Sequence, residues 1–215
     1  MIKNNDKLVC KIYNGENTIE RIYKGTDKVY EFLPIGYKEC KYIESTGTQY
    51  IDLEIKGNQN SKVDFQFSVT KKINSRGIFG FYGANGNSYY IYSGGAGVFQ
   101  IGYQKWSNTN ISIVENTKYI IKNDKNIISI NDYNYSLPEA TTFETSDNLL
   151  LFTIGGGNYA GLPIKLYYFK LYESDKLIRD LIPAIDSTRR PCLYDLVSKT
   201  TFYNVGTGTF GYELK

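Results

Sequence analysis

The residues best suited to chemistry in this sequence are aromatic and amide-bearing, and they are bunched. Tyr89, Tyr90, Tyr92, Tyr103 and Trp106 fall within one short stretch, interleaved with Asn85, Asn87, Gln104 and Asn108. Aromatic faces stack on the C–H faces of sugar rings, and side-chain amides satisfy hydroxyls. The pattern therefore points to a glycan site built from Tyr89, Tyr90, Tyr92, Tyr103, Trp106 and Asn108. Trp106, the one tryptophan, sits in Gln-Lys-Trp-Ser-Asn and reads as a loop residue. The plainer reading is that these tyrosines fill a β-structure and its rim, as tyrosine does throughout a chain with Tyr 21 among 215 residues.

Hydrolysis and metal chemistry find less support. Histidine is absent, which removes the commonest general base, the commonest metal ligand and every Ser–His or Cys–His pair. A retaining glycosidase needs two carboxylates flanking the scissile bond at about 5–5.5 Å. The strand text around Asp64 offers only that acid, and the text ending at Glu173 only that one. Asp52 and Glu54, the nearest same-face pair, read as solvated strand-edge charge. A hard cation would want a series of oxygen ligands in one loop. Asp52, Asp132, Asp147 and Asn148 are available, but no loop shows an Asp-x-Asp series, so turn carboxylates are the default. No catalytic residue, metal or cofactor is expected. Arg179-Asp180 and Arg189-Arg190 read as structural ion pairs, or as arginines covering a sheet edge, before they read as an anion site.

Bulk properties narrow the partners. The net charge of +3 is spread without basic clusters, which argues against nucleic acid and acidic membranes. There is no apolar run near the roughly 18 residues a membrane helix needs, and the opening Met-Ile-Lys-Asn-Asn-Asp-Lys lacks a signal-peptide core. Cys10, Cys40 and Cys192 are odd in number and without CxxC spacing. They read as core thiols of a chain that folds in a reducing cytoplasm.

The elements that must position these residues are strands. Ser61–Thr70 alternates strictly, with Val63, Phe65, Phe67 and Val69 on one face. Further strands are read at 77–82, 88–92, 97–103, 111–114 and 117–122, with a hairpin of 126–130 and 133–137 around Asn131-Asp132. The last long strands are read at 149–154 and 164–172, with Tyr167, Phe169 and Leu171 on a common face. No segment has helical period. The expected fold is all-β, a two-sheet antiparallel jelly-roll sandwich over 35–215. The stretch Tyr42–Leu53 opens it as two extended runs broken by a Ser-Thr-Gly bulge or turn, and Gly206-Thr207-Gly208-Thr209-Phe210 closes it.

Residues 1–34 form a separate leader with a period of about ten residues: Lys11-Ile12-Tyr13-Asn14-Gly15 is echoed by Arg21-Ile22-Tyr23-Lys24-Gly25. Turn signals at Asn4–Asp6, Asn14–Asn17 and Lys24–Asp27 predict a three-stranded meander, with strands near 7–13, 18–23 and 28–33. So short a sheet cannot make its own core. It either lies on the sandwich as a flap or meets copies of itself through Ile12, Tyr13, Ile19, Ile22, Tyr23 and Val29. The hinge-like Leu33-Pro34-Ile35-Gly36 favours the second, a homo-oligomer and foremost a trimer.

Two phrases carry a family resemblance. The ending, Arg179–Ala184, Leu193–Lys199 and Phe202–Phe210, is similar to the ending of LamG-like (concanavalin A-like) jelly-roll domains, and Tyr42–Asp52 resembles their opening. The Tyr-x-Gly leader resembles the N-termini of phage appendage proteins, and the Asn/Lys/Ile/Tyr usage fits a phage of an AT-rich host such as a crAss-like phage. Ser187-Thr188-Arg189-Arg190-Pro191 departs from the family's more Gly-rich linker. The resemblance implies a structural, non-enzymatic virion protein, a head or tail fibre or decoration subunit assembled in the host cytoplasm. It would contact itself, other virion proteins and a host-surface glycan. The alternative is a stand-alone carbohydrate-binding module of a bacterial surface protein, which would not need the leader.

Overall fold

The computed structural model describes residues 33–83, 86–155 and 160–215, and within 1–32 the backbone of 3–4, 7–8, 12–14, 17–19, 21–24 and 27–31. The leader strands pair as antiparallel hairpins: β1 (Lys3–Asn4) with β2 (Lys7–Leu8), β3 (Ile12–Asn14) with β4 (Asn17–Ile19), and β5 (Arg21–Lys24) with β6 (Asp27–Glu31). Each pair of strands brackets one of the expected turn signals. Among the described residues no ladder joins one hairpin to the next, where a single three-stranded meander was expected. Each repeat carries its own turn signal and so closes its own tight pairing. The side chains of Ile12, Tyr13, Ile19, Ile22, Tyr23 and Val29 lie outside the described residues, as does Cys10.

The sandwich begins with β7 (Lys38–Ser45), β8 (Ile51–Asn58), β9 (Ser61–Val69), β10 (Arg76–Phe81) and β11 (Ser88–Ser93). It continues through β12 (Val98–Ser112), β13 (Lys118–Asp124), β14 (Ile127–Ile130), β15 (Tyr133–Ser136) and β16 (Glu144–Leu151). It ends with β17 (Ile164–Glu173), β18 (Lys176–Ile185), β19 (Pro191–Asp195), β20 (Thr201–Phe202) and β21 (Gly211–Leu214). No helix occurs among the described residues. One antiparallel sheet is five-stranded, in the order β12-β11-β10-β16-β8. The other is ten-stranded, β15-β14-β13-β9-β17-β7-β18-β19-β20, with β21 also on β7. Alternation in β9 buries Val63, Phe65, Phe67 and Val69 as the sequence predicts. Across the layer, Phe65 and Phe169 meet Phe79 of the other sheet at ring distances of 5.6 and 5.2 Å. Each such ring contributes about 1.5–3 kcal/mol by leaving water.

The opening and closing phrases lie side by side. Val205 N donates to Tyr50 O at 2.9 Å, Thr207 N to Thr48 O at 3.1 Å, and Tyr50 N to the Asn204 side chain at 3.0 Å. Gly206 permits this approach, since a Cβ there would stand 2.1 Å from Thr48 O. The Ser-Thr-Gly break proves to be a crossing between sheets and not a bulge, because β7 and β8 belong to different layers. Gln49 turns inward and is buried. Its side-chain oxygen accepts from Thr46 N at 2.8 Å and from Ser45 Oγ at 3.0 Å, holding the corner.

Two strand readings change. In β17 the register slips between Leu166 and Tyr168. This bulge turns Tyr167 off the face it was expected to share with Phe169 and Leu171, and its hydroxyl meets Ser68 Oγ at 3.0 Å. The expected strands 97–103 and 111–114 are one element, β12, of 15 residues. That element folds back on itself near Gln104 (φ 58), for Ile113 N donates to Gly97 O at 2.9 Å. A straight strand rising ~3.3 Å per residue would part those residues by about 50 Å.

Charged and thiol residues of the C-terminal text are structural. Asp195, fully buried, accepts from Asp180 N and Val197 N at 2.8 and 3.0 Å, while Arg179 stands 3.6 Å away. In the β18–β19 turn Asp186 accepts from Thr188 N, Thr188 Oγ1, Arg190 N and the Tyr203 hydroxyl. Those donors, the Thr188 hydroxyl foremost, lower its pKa from 3.8 to about 2. Cys40 and Cys192 are buried free thiols, and burial raises them to about 11 and about 12. Asp195→Ala strands Arg179 and two backbone amides, and should remove roughly 3–5 kcal/mol of stability in urea unfolding. Asp186 stabilises the fold fully above its unfolded pKa and loses that contribution as pH falls through about 2. Asp186→Asn should therefore flatten the acid limb of melting temperature against pH between about 4 and 2.

Candidate functional site

Strand alternation divides the predicted aromatic cluster between two faces. Tyr89 pairs with Tyr103 across β11 and β12, and both point into the core, 2% and 3% exposed. The Tyr89 hydroxyl donates to Ser61 O at 3.1 Å and to the Asn123 side chain, and burial drives its pKa well up. The Tyr103 hydroxyl donates to Gln59 O at 2.5 Å. Neither ring presents a face to a ligand, so the structure leaves these two out of the site. For them the plainer reading of core filling holds.

Tyr90 and Tyr92 take the opposite parity, toward the outer face of the five-stranded sheet, where they too are buried, 2% and 8% exposed. With Tyr82 and Ile154 they form a separate apolar cluster. Tyr90 meets Tyr82 edge-on at 5.7 Å and Tyr92 at 6.3 Å. Opposite Tyr90 in the ladder is Gly102, where a Cβ would lie 2.4 Å from the ring. The missing side chain is what lets the tyrosine lie flat on the sheet. Tyr82, Tyr90, Tyr92, Gln100, Trp106 and Ile154 line a shallow cleft of about 130 Å³.

The fold-back of β12 brings the rest of the site here. Trp106, expected in a loop, lies within β12 beyond the bend and is 54% exposed. Asn108, two residues on, shares its outward face. The Tyr90 hydroxyl donates to Gln100 Oε1 at 2.9 Å, and Gln100 Nε2 donates to Asn108 Oδ1 at 3.1 Å. This relay holds the two side chains together. Of the six predicted glycan residues Tyr90, Tyr92 and Trp106 line the cleft, joined by Tyr82, Gln100 and Ile154, and Asn108 touches it only through Gln100. Parity with Tyr90 and Tyr92 across the β11–β12 ladder was the signal for Gln100. Of the interleaved amides, Asn87 lines a separate polar depression with Gln59 and Glu144, Gln104 Nε2 donates to Thr141 Oγ1, and Asn85 lies outside the described residues.

A second row of tyrosines crosses the outer face of the ten-stranded sheet, but its rings are already covered. Lys165 Nζ sits 4.3 Å over Tyr42, Lys118 Nζ sits 4.5 Å over Tyr167, and Tyr168 donates to Asp64 at 2.8 Å. A sugar could stack there only by displacing a cation–π contact. Among the described residues no such cation sits above Trp106.

The remaining candidates for chemistry are engaged locally. Asp52 accepts from Glu54 N at 2.7 Å and Asn148 Nδ2 at 3.3 Å, and Asp147 accepts from Asn148 N at 2.9 Å. Asp132 is an exposed residue of the β14–β15 turn. Among the described residues no group of three or more His, Cys, Asp or Glu is placed to hold a metal ion. Arg190 stacks 4.1 Å over Tyr203. No protein-family model matches the chain, and no curated protein matches it.

The two faces predict opposite phenotypes. Trp106→Ala should leave stability within about 0.5 kcal/mol, because nothing in the core rests on the indole. Tyr103→Ala should lose roughly 3–5 kcal/mol by opening a cavity beside Tyr89 and Phe143. Thermal melts of the two variants check this; a Trp106→Ala protein that unfolds would make that residue part of the core.

Proposed function

We propose that the chain is a structural, non-enzymatic subunit of a phage virion appendage, on the head or the tail, that presents a glycan-binding cleft to the host surface. The observation that carries this reading is the placement of the leader's exit relative to the cleft. Leu33 and Tyr37 pack against Ala184, Cys192 and Tyr194 on the outer face of the ten-stranded sheet. The Tyr37 ring meets Tyr194 at 5.6 Å, and its hydroxyl meets Thr201 Oγ1 at 2.9 Å. Tyr37 N donates to Pro34 O at 3.0 Å, so the stretch read as a hinge is a turn tied to the sandwich at both ends. The leader therefore leaves from one broad face while Trp106 stands on the other. A subunit anchored by its N-terminal hairpins would turn its cleft outward.

Two further points support it. The phrases that resemble LamG-like phage domains are the ones that hydrogen-bond to each other at the seam. The cleft offers an uncovered indole beside amide side chains, the combination that neutral sugars need. A stand-alone carbohydrate-binding module would share the cleft but would not need the hairpins.

Light scattering on the full chain and on a chain lacking 1–32 separates the two. A homo-oligomer, foremost a trimer, is expected for the full chain, and a folded monomer for the shortened one. A monomeric full chain and an aggregating short one would mean that the leader only covers its own sandwich. Glycan-array binding that disappears with Trp106→Ala, with melting unchanged, tests the cleft itself.

A further inference from the structure

Residues 33–37 lie across the sandwich as a short strap, and one region of the chain supplies their seat. Leu33 and Tyr37 pack on Ala184, Cys192 and Tyr194. The Tyr37 hydroxyl meets Thr201 Oγ1 at 2.9 Å. Gly36 rests on the β18–β19 turn, where a Cβ added to it would stand 2.8 Å from Ser187 Cβ. All of these partners lie between residues 184 and 201. Tyr203 carries the contact into the turn. It hydrogen-bonds with Tyr37 on one side, and on the other its hydroxyl donates to Asp186 at 2.9 Å. Arg190, from the same turn, stacks 4.1 Å over its ring.

What holds the strap down is side chains. Its backbone bond, Tyr37 N to Pro34 O at 3.0 Å, is internal to it, and among the described residues no backbone hydrogen bond joins 33–37 to the sandwich. Pro34, Ile35 and Gly36 are exposed. Segments with few buried contacts and no backbone ladder are the ones that open locally while the rest of a protein stays folded. Beneath the strap Cys192 is a free thiol, wholly buried. Cys40 is as well buried but lies outside the seat, in β7, where Leu214 of β21 pairs with it. We infer that residues 33–37 form a releasable strap, which lifts as a unit from the 186–190 turn while the sandwich stays folded, and whose seating fixes the direction in which the leader leaves. Closed, it aims the leader. Open, it lets the leader swing and uncovers Cys192. The appendage reading needs an aimed leader but not a releasable one, so the strap goes beyond it.

Cys192 reports the strap directly. The full-length protein is alkylated with N-ethylmaleimide under native conditions, and the modified cysteines are assigned by peptide mass mapping. Tyr37→Ala removes the anchor, and Gly36→Ala pushes a methyl group against Ser187 from an exposed position. Labelling of a transiently opened site follows the population of the open form, so each variant should raise Cys192 modification about tenfold over the unaltered chain. Cys40 modification and the melting temperature should not change. Protection of Cys192 that survives either substitution would mean that something other than the strap covers it. Cys192 and Cys40 rising together, or a Tyr37→Ala chain that does not fold, would make 33–37 part of the core. Each of these results overturns the strap and leaves the light-scattering and glycan tests of the appendage reading untouched.

Discussion

The seam between the chain's opening and closing phrases is the constraint on which the sandwich depends. Residues 48–50 cross between sheets, and the backbone groups exposed at such a crossing must find partners when buried. They find them in residues 204–207, so the corner is completed only when the C-terminal text arrives. Phe210 then packs on Phe152 at 4.8 Å, and β21 adds to β7. Contacts of this kind close loops of more than a hundred residues, which places the fold among the slow, non-local topologies. The buried Asp195, bonded to Asp180 N and Val197 N, fixes the two strands that deliver the closing phrase.

The period of two along β11 does two jobs with one run of tyrosines. Its odd members close the core, and its even members pave the outer face. The same alternation on the paired leg of β12 sets Tyr103 inward and Gln100 outward. Gly102, lying under the Tyr90 ring, and the positive φ at Gln104 then shape the surface into a cleft. The candidate site thus rides on a ladder already rigidified by the core.

Local periodicity was legible in the chain, and what depended on partners was not. Val63, Phe65, Phe67 and Val69 declared their shared face, and Asn131-Asp132 declared a hairpin that the structure contains. That one phrase opens and the other closes a single sandwich could be read from their common turn chemistry, and their direct hydrogen bonding is what the structure adds. Three features could not. The bulge that displaces Tyr167 exists because β17 must match β9 on both sides of Leu166, a demand set by another strand. The division of Tyr42–Leu53 between sheets depends on which neighbours the two runs find. The fold-back of β12 brings Asn108 to Gln100 across a bend marked only by a left-handed glutamine, a residue type that rarely signals one. For the candidate site, the right stretch was legible but its membership was not. Composition names tyrosines, and only pairing register tells which of them face outward.

The two apolar clusters outside the main core complete the argument about polarity of the molecule. Tyr90, Tyr92 and Ile154 lie on one broad face, and Ala184, Cys192 and Tyr194 lie on the other. The second is covered by the protein's own residues 33–37, which spend a turn and an aromatic contact to stay in place. The first is bordered by an indole left 54% exposed. An exposed tryptophan adds nothing to folding that a smaller residue would not, and it adds surface on which chains can associate. Both clusters are buried, Tyr90, Tyr92 and Ile154 being 2%, 8% and 3% exposed, and on the five-stranded side it is the indole that is left to solvent.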